Sequence, residues 1–228
     1  MSNISKNKII AIVPVKERSE RVPNKNFRKF TENGNSLLDL TINKLKSLIN
    51  LDHIYISTDK ENIKIPLTQN ITILKRDKKF CDNLTPWSEV IFNVANSIPE
   101  EEDTTIMWVH TTTPLFNFYK EALEKYLNLN KNIFNSLVAV EKSKEFLIDQ
   151  KGRPINYMFG VWHKYSQDLP ELFKITGALF INKLSEIKKN RYVIGTNPYL
   201  FEVPSEYCLD IDNEWQFELA KILYKNLD

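Results

Sequence analysis

Apolar and polar residues follow each other along the chain in the patterns of alternating strands and helices. The run 9–13 is wholly apolar and ends at Pro14, as expected of a strand buried on both faces of a parallel sheet. The next apolar residues recur at steps of four, three and four, the period of an amphipathic helix: Leu38, Ile42, Leu45 and Ile49. Ser36 is a candidate N-cap for this helix.

The same two patterns continue to the end of the sequence. Short apolar runs predict strands at 53–57, 71–74, 105–109, 133–140 and 177–182. Helices are predicted from about Pro86, at 118–127 and after Asp212. The last helix is expected to bury an apolar face made of Trp215, Leu219, Ile222 and Leu223.

This alternation predicts an α/β protein with a doubly wound, mostly parallel sheet. The 228 residues suit one domain, 1–228, and no linker or internal repeat divides them. After Val140 the rhythm breaks, and a Lys151-Gly152 turn signal between 146–149 and 154–157 predicts a hairpin outside the main sheet.

Composition sets limits on function. Lys+Arg 31 against Asp+Glu 29 gives a net charge of +2, which argues against nucleic acid or an anionic membrane as the main partner. The first apolar run is too short to span a bilayer and no cleavage site precedes it, so we expect a cytoplasmic protein. Cys81 and Cys208 lie far apart and are expected to be small buried residues rather than metal ligands.

Charge is concentrated in residues 16–29, which follow the first strand with six basic and two acidic side chains. In open α/β folds this edge of the sheet binds ligands. Several cations there suit a polyphosphate, whose charge they would neutralise in a partly dehydrated cleft. The alternative is a solvated basic loop.

Two further segments carry candidate chemistry. Asp210 and Asp212 lie on one face of an extended segment, which suits Mg²⁺, although Asp212 has the alternative role of capping the last helix. The segment 110–115 places His110 and Thr112 at the end of a predicted strand, where imidazole and hydroxyl groups suit a sugar or ribose. The alternative for that segment is a polar turn.

Together these segments resemble the acylneuraminate cytidylyltransferase family over nearly the whole chain. The family's R-x-x-S-K-G-x-P-x-K-N is matched in order by Lys16, Ser19, Pro23, Lys25 and Asn26. Further along the chain, its other motifs correspond to Ile56-Ser57-Thr58-Asp59, Arg76, His110-Thr111-Thr112-Thr113-Pro114-Leu115, Gln167-Asp168-Leu169-Pro170, Gly177-Ala178-Leu179-Phe180-Ile181 and Asp210-Ile211-Asp212.

The departures from the family pattern fall into two groups. In the basic segment, Lys16 replaces an arginine, Glu20 a lysine and Arg21 a glycine. On the sugar side, His110 replaces a glutamine and Ser166 an arginine. This distribution predicts that nucleotide chemistry is retained while the acceptor differs from sialic acid, with Lys174 as a substitute partner for the sugar carboxylate.

The resemblance implies a nucleotidyltransferase of Rossmann-like fold that moves CMP from CTP to a hydroxyl of an acidic sugar and releases pyrophosphate. It implies catalytic roles for Lys16, Lys25, Asp210 and Asp212, the two aspartates holding Mg²⁺. It implies nucleotide contacts from Arg18, Ser19, Arg21, Asn26 and Arg76. It implies sugar contacts from His110, Thr112, Gln167, Lys174 and Phe180, with a base role for His110 as an alternative to plain hydrogen bonding.

The resemblance also implies a homodimer. Residues 141–175 would form the dimerisation hairpin, and Gln167 would reach the pocket of the partner subunit. Two other functions remain open at this point: a D-x-D metal-dependent glycosyltransferase, and a non-catalytic nucleotide-binding relative.

Overall fold

The computed structural model describes residues 7–63, 65 and 69–226. In this part of the chain seven strands form one sheet: β1 (Ile9–Pro14), β2 (His53–Thr58), β3 (Ile71–Lys75), β4 (Thr105–Val109), β5 (Ser136–Ser143), β6 (Leu172–Lys183) and β7 (Pro198–Glu202). Their order is β3-β2-β1-β4-β6-β5-β7. Every predicted strand is present, although β5 begins three residues later than predicted and Ile133 is exposed.

The described residues form five α-helices: α1 (Leu37–Lys46), α2 (Trp87–Asn96), α3 (Tyr119–Leu127), α4 (Leu184–Asn190) and α5 (Glu214–Lys225). Ser36 caps α1 as predicted, because its hydroxyl accepts from the Asp39 N–H while the Asp39 carboxylate accepts from the Ser36 N–H. Pro86 is the N-cap of α2 rather than its first helical residue.

The sheet is mostly parallel, as predicted. β1 pairs in parallel with both β2 and β4, and β5 pairs in parallel with β7. Only β6, among the described strands, runs antiparallel to its neighbours β4 and β5. The strand order reverses at β1, so the carboxyl ends of β1 and β4 flank a topological switch point, where open α/β sheets bind ligands.

Helices cover both faces of the sheet because successive β1 side chains point to opposite sides. Ile9, Ala11 and Val13 pack in one apolar cluster with α1 and α3. Ile10 and Ile12 pack in a second cluster with α2 and α4. The fully apolar sequence of β1 follows from this double burial.

α5 packs on a third, smaller cluster and buries a face other than the predicted one. Phe217 and Ala220 are its buried residues, and the Phe217 ring meets the Phe30 ring edge-on at 5.4 Å between centroids. Leu219 is partly buried, whereas the other predicted members are exposed: Trp215, Ile222 and Leu223. A narrow strip of α5 packs against the rest of the protein, so the helical period of the apolar residues did not by itself identify the buried face.

Two other expectations need correction. Ile49 lies beyond the end of α1 and is exposed, because Ser47 terminates the helix and donates its hydroxyl to the Lys44 carbonyl. Cys208 is buried as expected, but Cys81 is only half-buried and lines the cleft described below.

The predicted hairpin between β5 and β6 is present as a short excursion. Ile148 and Pro154 form an antiparallel bridge, and the Ile155 N–H donates to the Leu147 carbonyl at 2.8 Å. In the described part of the chain, none of the helices has the length and apolar character needed to cross a bilayer.

Candidate active site

A cleft of about 470 Å³ opens at the carboxyl ends of β1 and β4. Its walls come from the basic loop (residues 16–29), from the cover segment (residues 76–87) and from residues 110–112. Eight predicted site residues line it: Lys16, Ser19, Arg21, Lys25, Asn26, Arg76, His110 and Thr112. The structure therefore brings together Lys16, Lys25 and all the nucleotide-binding candidates except Arg18, but only two of the five sugar-binding candidates, His110 and Thr112.

Asn26 fixes the basic loop to the end of β4. Its side-chain N–H donates to the Lys16 carbonyl at 3.1 Å, and its oxygen accepts from the Thr111 hydroxyl at 2.8 Å. Both Asn26 and Thr111 are buried. Asn24, just before Lys25, takes a positive φ of 55°, a conformation in which asparagine is enriched. We infer that Asn26 contributes to the cleft by positioning the loop.

Lys25 lies where the basic loop meets the two aspartates. Its ammonium group donates to the Ile211 carbonyl at 2.5 Å. Burial lowers the pKa of Lys25 below its ordinary value, and the Asp210 and Asp212 carboxylates oppose part of that shift. The lysine is thus a partly desolvated cation held between two anions, where electrostatic interactions are stronger than in bulk water.

Asp210 is the buried member of the carboxylate pair. Burial raises the pKa of Asp210, a hydrogen bond from the Thr112 side chain opposes the shift, and the Asp212 carboxylate adds to it. Its Oδ1 atom is buried without a hydrogen-bond partner in the described part of the chain. An unpaired buried carboxylate oxygen is costly, and a cation bound there would compensate it.

Asp212 is more exposed and pairs with Arg21, whose Nη2 lies 2.8 Å from Asp212 Oδ1. Asp212 does not cap the last helix. Asn213 does, because its side-chain oxygen accepts from the Gln216 N–H at 3.2 Å and Gln216 reaches back to the Asn213 N–H at 3.0 Å. The carboxylate of Asp212 therefore remains available to the cleft side of the protein.

His110 is held by its contacts with Trp108 and Gly177. The Trp108 indole N–H donates to His110 Nε2 at 3.1 Å, and a backbone hydrogen bond joins His110 to Gly177. Burial lowers the pKa of His110 to about 4, and Lys25 adds to the shift. The ring is therefore neutral at pH 7, and its Nε2 is engaged by the Trp108 indole.

Arg76 lines the cleft from a buried position. Its Nη2 donates to the Val15 carbonyl at 2.9 Å, and its Nε lies 3.0 Å from Cys81 Sγ. These contacts join the cover segment to the end of β1. Burial raises the pKa of the Cys81 thiol, so this cysteine is a poor nucleophile at neutral pH.

Six predicted site residues are not part of the cleft lining: Asp210 and Asp212, which act on Lys25 at its edge, and Arg18, Gln167, Lys174 and Phe180. Arg18 is exposed, and Gln167 is exposed in a short 3₁₀ turn. Lys174 pairs with Glu141 at 3.5 Å and contributes to the field at Asp210. Phe180 is buried in the core, where its ring meets that of His110 at 5.8 Å. Phe180 thus packs behind the ring of His110.

The cover segment contains the residues that the sequence patterns missed. The Lys16 ammonium group donates to Asn83 Oδ1 at 2.7 Å, which links this segment to the basic loop. Thr85 and Trp87 line the cleft beside it. The one available signal was the turn chemistry of Asp82, which accepts from the Leu84 and Thr85 N–H groups and keeps the segment compact.

The aspartate pair offers part of a ligand set for a metal ion. Among the described residues, no group of three or more His, Cys, Asp or Glu side chains is arranged to hold a metal ion. Mg²⁺ commonly takes only one or two carboxylates and completes its shell with water and substrate phosphates. The unpartnered Asp210 oxygen and the hard oxygen donors of both aspartates fit that cation.

A cleft with clustered cations facing two carboxylates, at the switch point of a doubly wound sheet, defines a nucleotide-binding α/β protein. The cytidylyltransferase family model matches residues 10–152, more than half of the chain, and the chain belongs to that family. This assignment removes the glycosyltransferase alternative.

Two groups of characterised relatives match most of the chain. A pseudaminic acid cytidylyltransferase of Campylobacter jejuni is 26% identical over 96% of this chain and 97% of its own length. An N-acylneuraminate cytidylyltransferase of Streptococcus agalactiae is 24% identical over 92% of this chain, which spans only 52% of that relative.

Solved structures confirm the expected fold. A 2-C-methyl-D-erythritol 4-phosphate cytidylyltransferase from Francisella tularensis superposes with a TM-score of 0.67 at 15% identity, covering 96% of this chain and 100% of its own. A CMP:2-keto-3-deoxy-manno-octonic acid synthetase complexed with CTP gives 0.64 at 10% identity, over 97% of this chain and 100% of its own. At these identities the likeness concerns the fold.

Proposed function

We propose that the protein transfers CMP from CTP to a hydroxyl of an acidic sugar and releases pyrophosphate. One observation carries the proposal: Lys25 of the basic loop lies in the cleft, bonded to the carbonyl of Ile211 and close enough to Asp210 and Asp212 for their carboxylates to raise its pKa. This arrangement supports binding of a triphosphate by the cations beside a metal held by carboxylate oxygens. The relatives named for pseudaminic and N-acylneuraminic acids support an acidic sugar as the acceptor.

In this reaction the sugar hydroxyl loses its proton to water, and its oxygen bonds to the α-phosphorus of CTP. The bond from that phosphorus to the bridging oxygen breaks, and pyrophosphate leaves with the electron pair. The protein contributes position and charge. Lys16 and Lys25 neutralise the triphosphate, and Arg21 stands at the rim beside them. Asn26 and Asn83 both hold Lys16: Asn26 donates to its carbonyl, and Asn83 accepts from its ammonium group.

We propose Mg²⁺ as the cofactor, held by Asp210 and Asp212 together with substrate phosphates. When bound, the metal neutralises phosphate oxygens and lowers the pKa of a coordinated hydroxyl. Thr112 orients the Asp210 carboxylate by hydrogen bonding to it. His110 lies in the wall of the cleft, and burial keeps its ring neutral at pH 7 by lowering its pKa.

We further propose a homodimer that acts in the cytoplasm. The excursion between β5 and β6 exposes several large apolar residues, a composition typical of an interface and costly in contact with water: Phe146, Phe159, Val161, Trp162 and Tyr165. Gln167 follows this patch and would contribute to the partner subunit's pocket.

The proposed function is tested by titrating CTP, ATP, GTP and UTP in the presence of Mg²⁺ and by measuring pyrophosphate release with pseudaminic acid, N-acetylneuraminic acid and 2-keto-3-deoxy-manno-octonic acid. We expect selective binding of CTP and release of pyrophosphate with at least one of the acids. Binding of CTP without turnover of any acid would favour the non-catalytic relative. Absence of CTP binding would refute the proposal.

A further inference from the structure

Asp59 follows β2 directly and holds the start of the basic loop. The Val15 N–H continues the parallel pairing of β1 with β2 by donating to the Ser57 carbonyl at 2.9 Å. Two residues further on, the Glu17 N–H donates to Oδ1 of Asp59 at 2.8 Å. The carboxylate therefore accepts a hydrogen bond beyond the ends of both strands, where the chain leaves β1 and enters the basic loop.

This hydrogen bond fixes one side of the peptide group that joins Lys16 to Glu17. On the other side of the same group, the Lys16 carbonyl accepts from the side-chain N–H of Asn26 at 3.1 Å. A peptide group is planar and includes the Cα atom of the residue before it, so two opposed hydrogen bonds fix the orientation of the whole unit. Asp59 and Asn26 together thus fix the point from which the Lys16 side chain enters the cleft.

Asp59 also holds the cover segment. A hydrogen bond joins its side chain to the Cys81 thiol, and Arg76 Nε lies 3.0 Å from the same sulfur. Arg76 donates in turn to the Val15 carbonyl at 2.9 Å. One carboxylate therefore contacts both the basic loop and the cover segment, the two walls that the Lys16 side chain connects.

Asp59 acts on the cleft from outside it. The residues that line the cleft include Lys16 and Cys81 but not Asp59, so this carboxylate affects a ligand only through the groups that it holds. The sugar-binding candidates His110 and Thr112 follow β4, and β1 separates that strand from β2 in the sheet. An effect of Asp59 should therefore be confined to the nucleotide.

We propose that Asp59 is a positioning residue for CTP, whose carboxylate orients the Lys16–Glu17 peptide group and thereby places the Lys16 ammonium group against the triphosphate. This inference rests on the proposed function. It adds to that function a residue that touches neither the substrates nor the metal.

The test compares Asp59→Asn, Asp59→Glu and Asp59→Ala with wild type. Asparagine keeps an oxygen acceptor in place but removes the charge, glutamate keeps the charge but moves its oxygens by one carbon, and alanine removes both. Asp103→Ala is the matched control, because Asp103 is exposed in the turn before β4, at the opposite end of the sheet. The measurements are CTP affinity by calorimetry, the separate KM values for CTP and sugar, and amide hydrogen exchange of Glu17.

We expect Asp59→Ala and Asp59→Glu to raise the Kd and KM for CTP about tenfold, because a small displacement of a positioning group misaligns the charge that it carries. The KM for the sugar should change less than about twofold. Asp59→Asn should stay within about threefold of wild type, since its amide oxygen still accepts from the Glu17 N–H. In Asp59→Ala the Glu17 amide should exchange faster while the β1 amides keep their protection.

Unchanged CTP affinity in Asp59→Ala and Asp59→Glu would overturn the inference. So would a normal Asp59→Glu beside an impaired Asp59→Asn, which would assign the effect to charge rather than position. Equal rises in both KM values, or lost protection of β1, would show a role in folding alone. If Asp59→Ala does not fold, the comparison of Asp59→Asn with Asp59→Glu decides. Each of these outcomes leaves the proposed function standing, whereas absence of CTP binding by wild type would refute both.

Discussion

The guanidinium group of Arg21 lies 2.8 Å from Asp212 Oδ1, so a cation of the basic loop neutralises one of the two proposed metal ligands. The resemblance places a glycine at the position of Arg21, and the substitution has therefore created a contact across the mouth of the cleft. Because both side chains are largely exposed, the pair is weak and exchangeable. A metal ion and a triphosphate would separate the two groups by binding one partner each.

Replacing Arg21 should therefore have opposite effects on the two ligands. We expect Arg21→Gly to tighten binding of Mn²⁺, measured by calorimetry without nucleotide, by less than about fivefold, since an exposed ion pair contributes about 1 kcal/mol or less. CTP binding should weaken in the same variant. Lys29→Ala, an exposed cation of the same loop, is the control and should change neither affinity. Weaker Mn²⁺ binding by Arg21→Gly would contradict the assignment of Asp212.

Lys25 should matter far more than the exposed cations. Lys25→Ala removes a partly buried charge from the proposed triphosphate site, and we expect it to cost about 2 to 4 kcal/mol of transition-state stabilisation. The measurement is kcat/KM from pyrophosphate release, with Lys29→Ala as the matched control. A loss below about tenfold would show that Lys25 does not stabilise the transition state, since each 1.36 kcal/mol corresponds to a factor of ten.

Protonation of His110 should limit stability in acid. Its pKa is about 4 in the folded protein against 6.5 ordinarily, so between these values the unfolded state binds a proton that the native state does not. Above pH 6.5 this difference in proton binding does not affect stability. As the pH falls from 6.5 toward 4, it lowers the free energy of unfolding. Between pH 7 and pH 4.5 the free energy of unfolding should fall less for His110→Gln than for wild type. The difference between the two changes should be on the order of 2 kcal/mol.

Urea unfolding at the two pH values measures this difference. His163→Gln is the control, because that histidine is exposed and stacks on Phe146 at 4.9 Å outside the core. Equal acid sensitivity of wild type and His110→Gln would show that His110 is not the group responsible.

The exposed apolar patch of the excursion should hold two subunits together. Trp162→Glu places a charge in the middle of that patch, and burying an unpaired charge in an interface is strongly unfavourable. We expect wild type to sediment as a dimer at micromolar concentration and Trp162→Glu as a monomer. Trp215→Glu, at an equally exposed tryptophan on α5, should remain dimeric. A monomeric wild type would refute the proposed dimer.

The sequence predicted the sheet well because β1 and β4 are buried on both faces, which requires continuous apolar runs. It also predicted the cap of α1, since the capping box is a local interaction between Ser36 and Asp39. The predicted buried face of α5 was wrong because Phe217 is buried by its contact with Phe30, a residue distant in sequence. Periodicity alone carries no information about such partners.

In the site, too, the features set by nearby residues were predicted, and those set by contacts between distant segments were not. The basic loop and the aspartate pair were found because charge and spacing are visible in the sequence. Asn83 and Trp87 were missed because their roles arise only where the cover segment folds over β1 and β4. The role of His110 could not be predicted from the sequence either, because its ability to act as a base depends on its contacts with the Trp108 indole and with Gly177.

Asp210 offers the most direct test of the metal site. Its buried Oδ1 has no partner among the described residues, and burial raises its pKa, so the carboxylate costs stability in the absence of a cation. Asp210→Asn removes the charge while keeping the shape. We expect turnover to fall about 100-fold or more through lost charge stabilisation, and Mn²⁺ binding to weaken. The melting temperature should stay equal or rise, because functional sites trade stability for activity.

Glu206→Gln, an exposed carboxylate just before the pair, is the control and should match wild type in all three measurements. If Asp210→Asn bound Mn²⁺ and turned over like wild type, Asp210 would not be a metal ligand, and a melting temperature lowered together with activity would identify it as a structural residue.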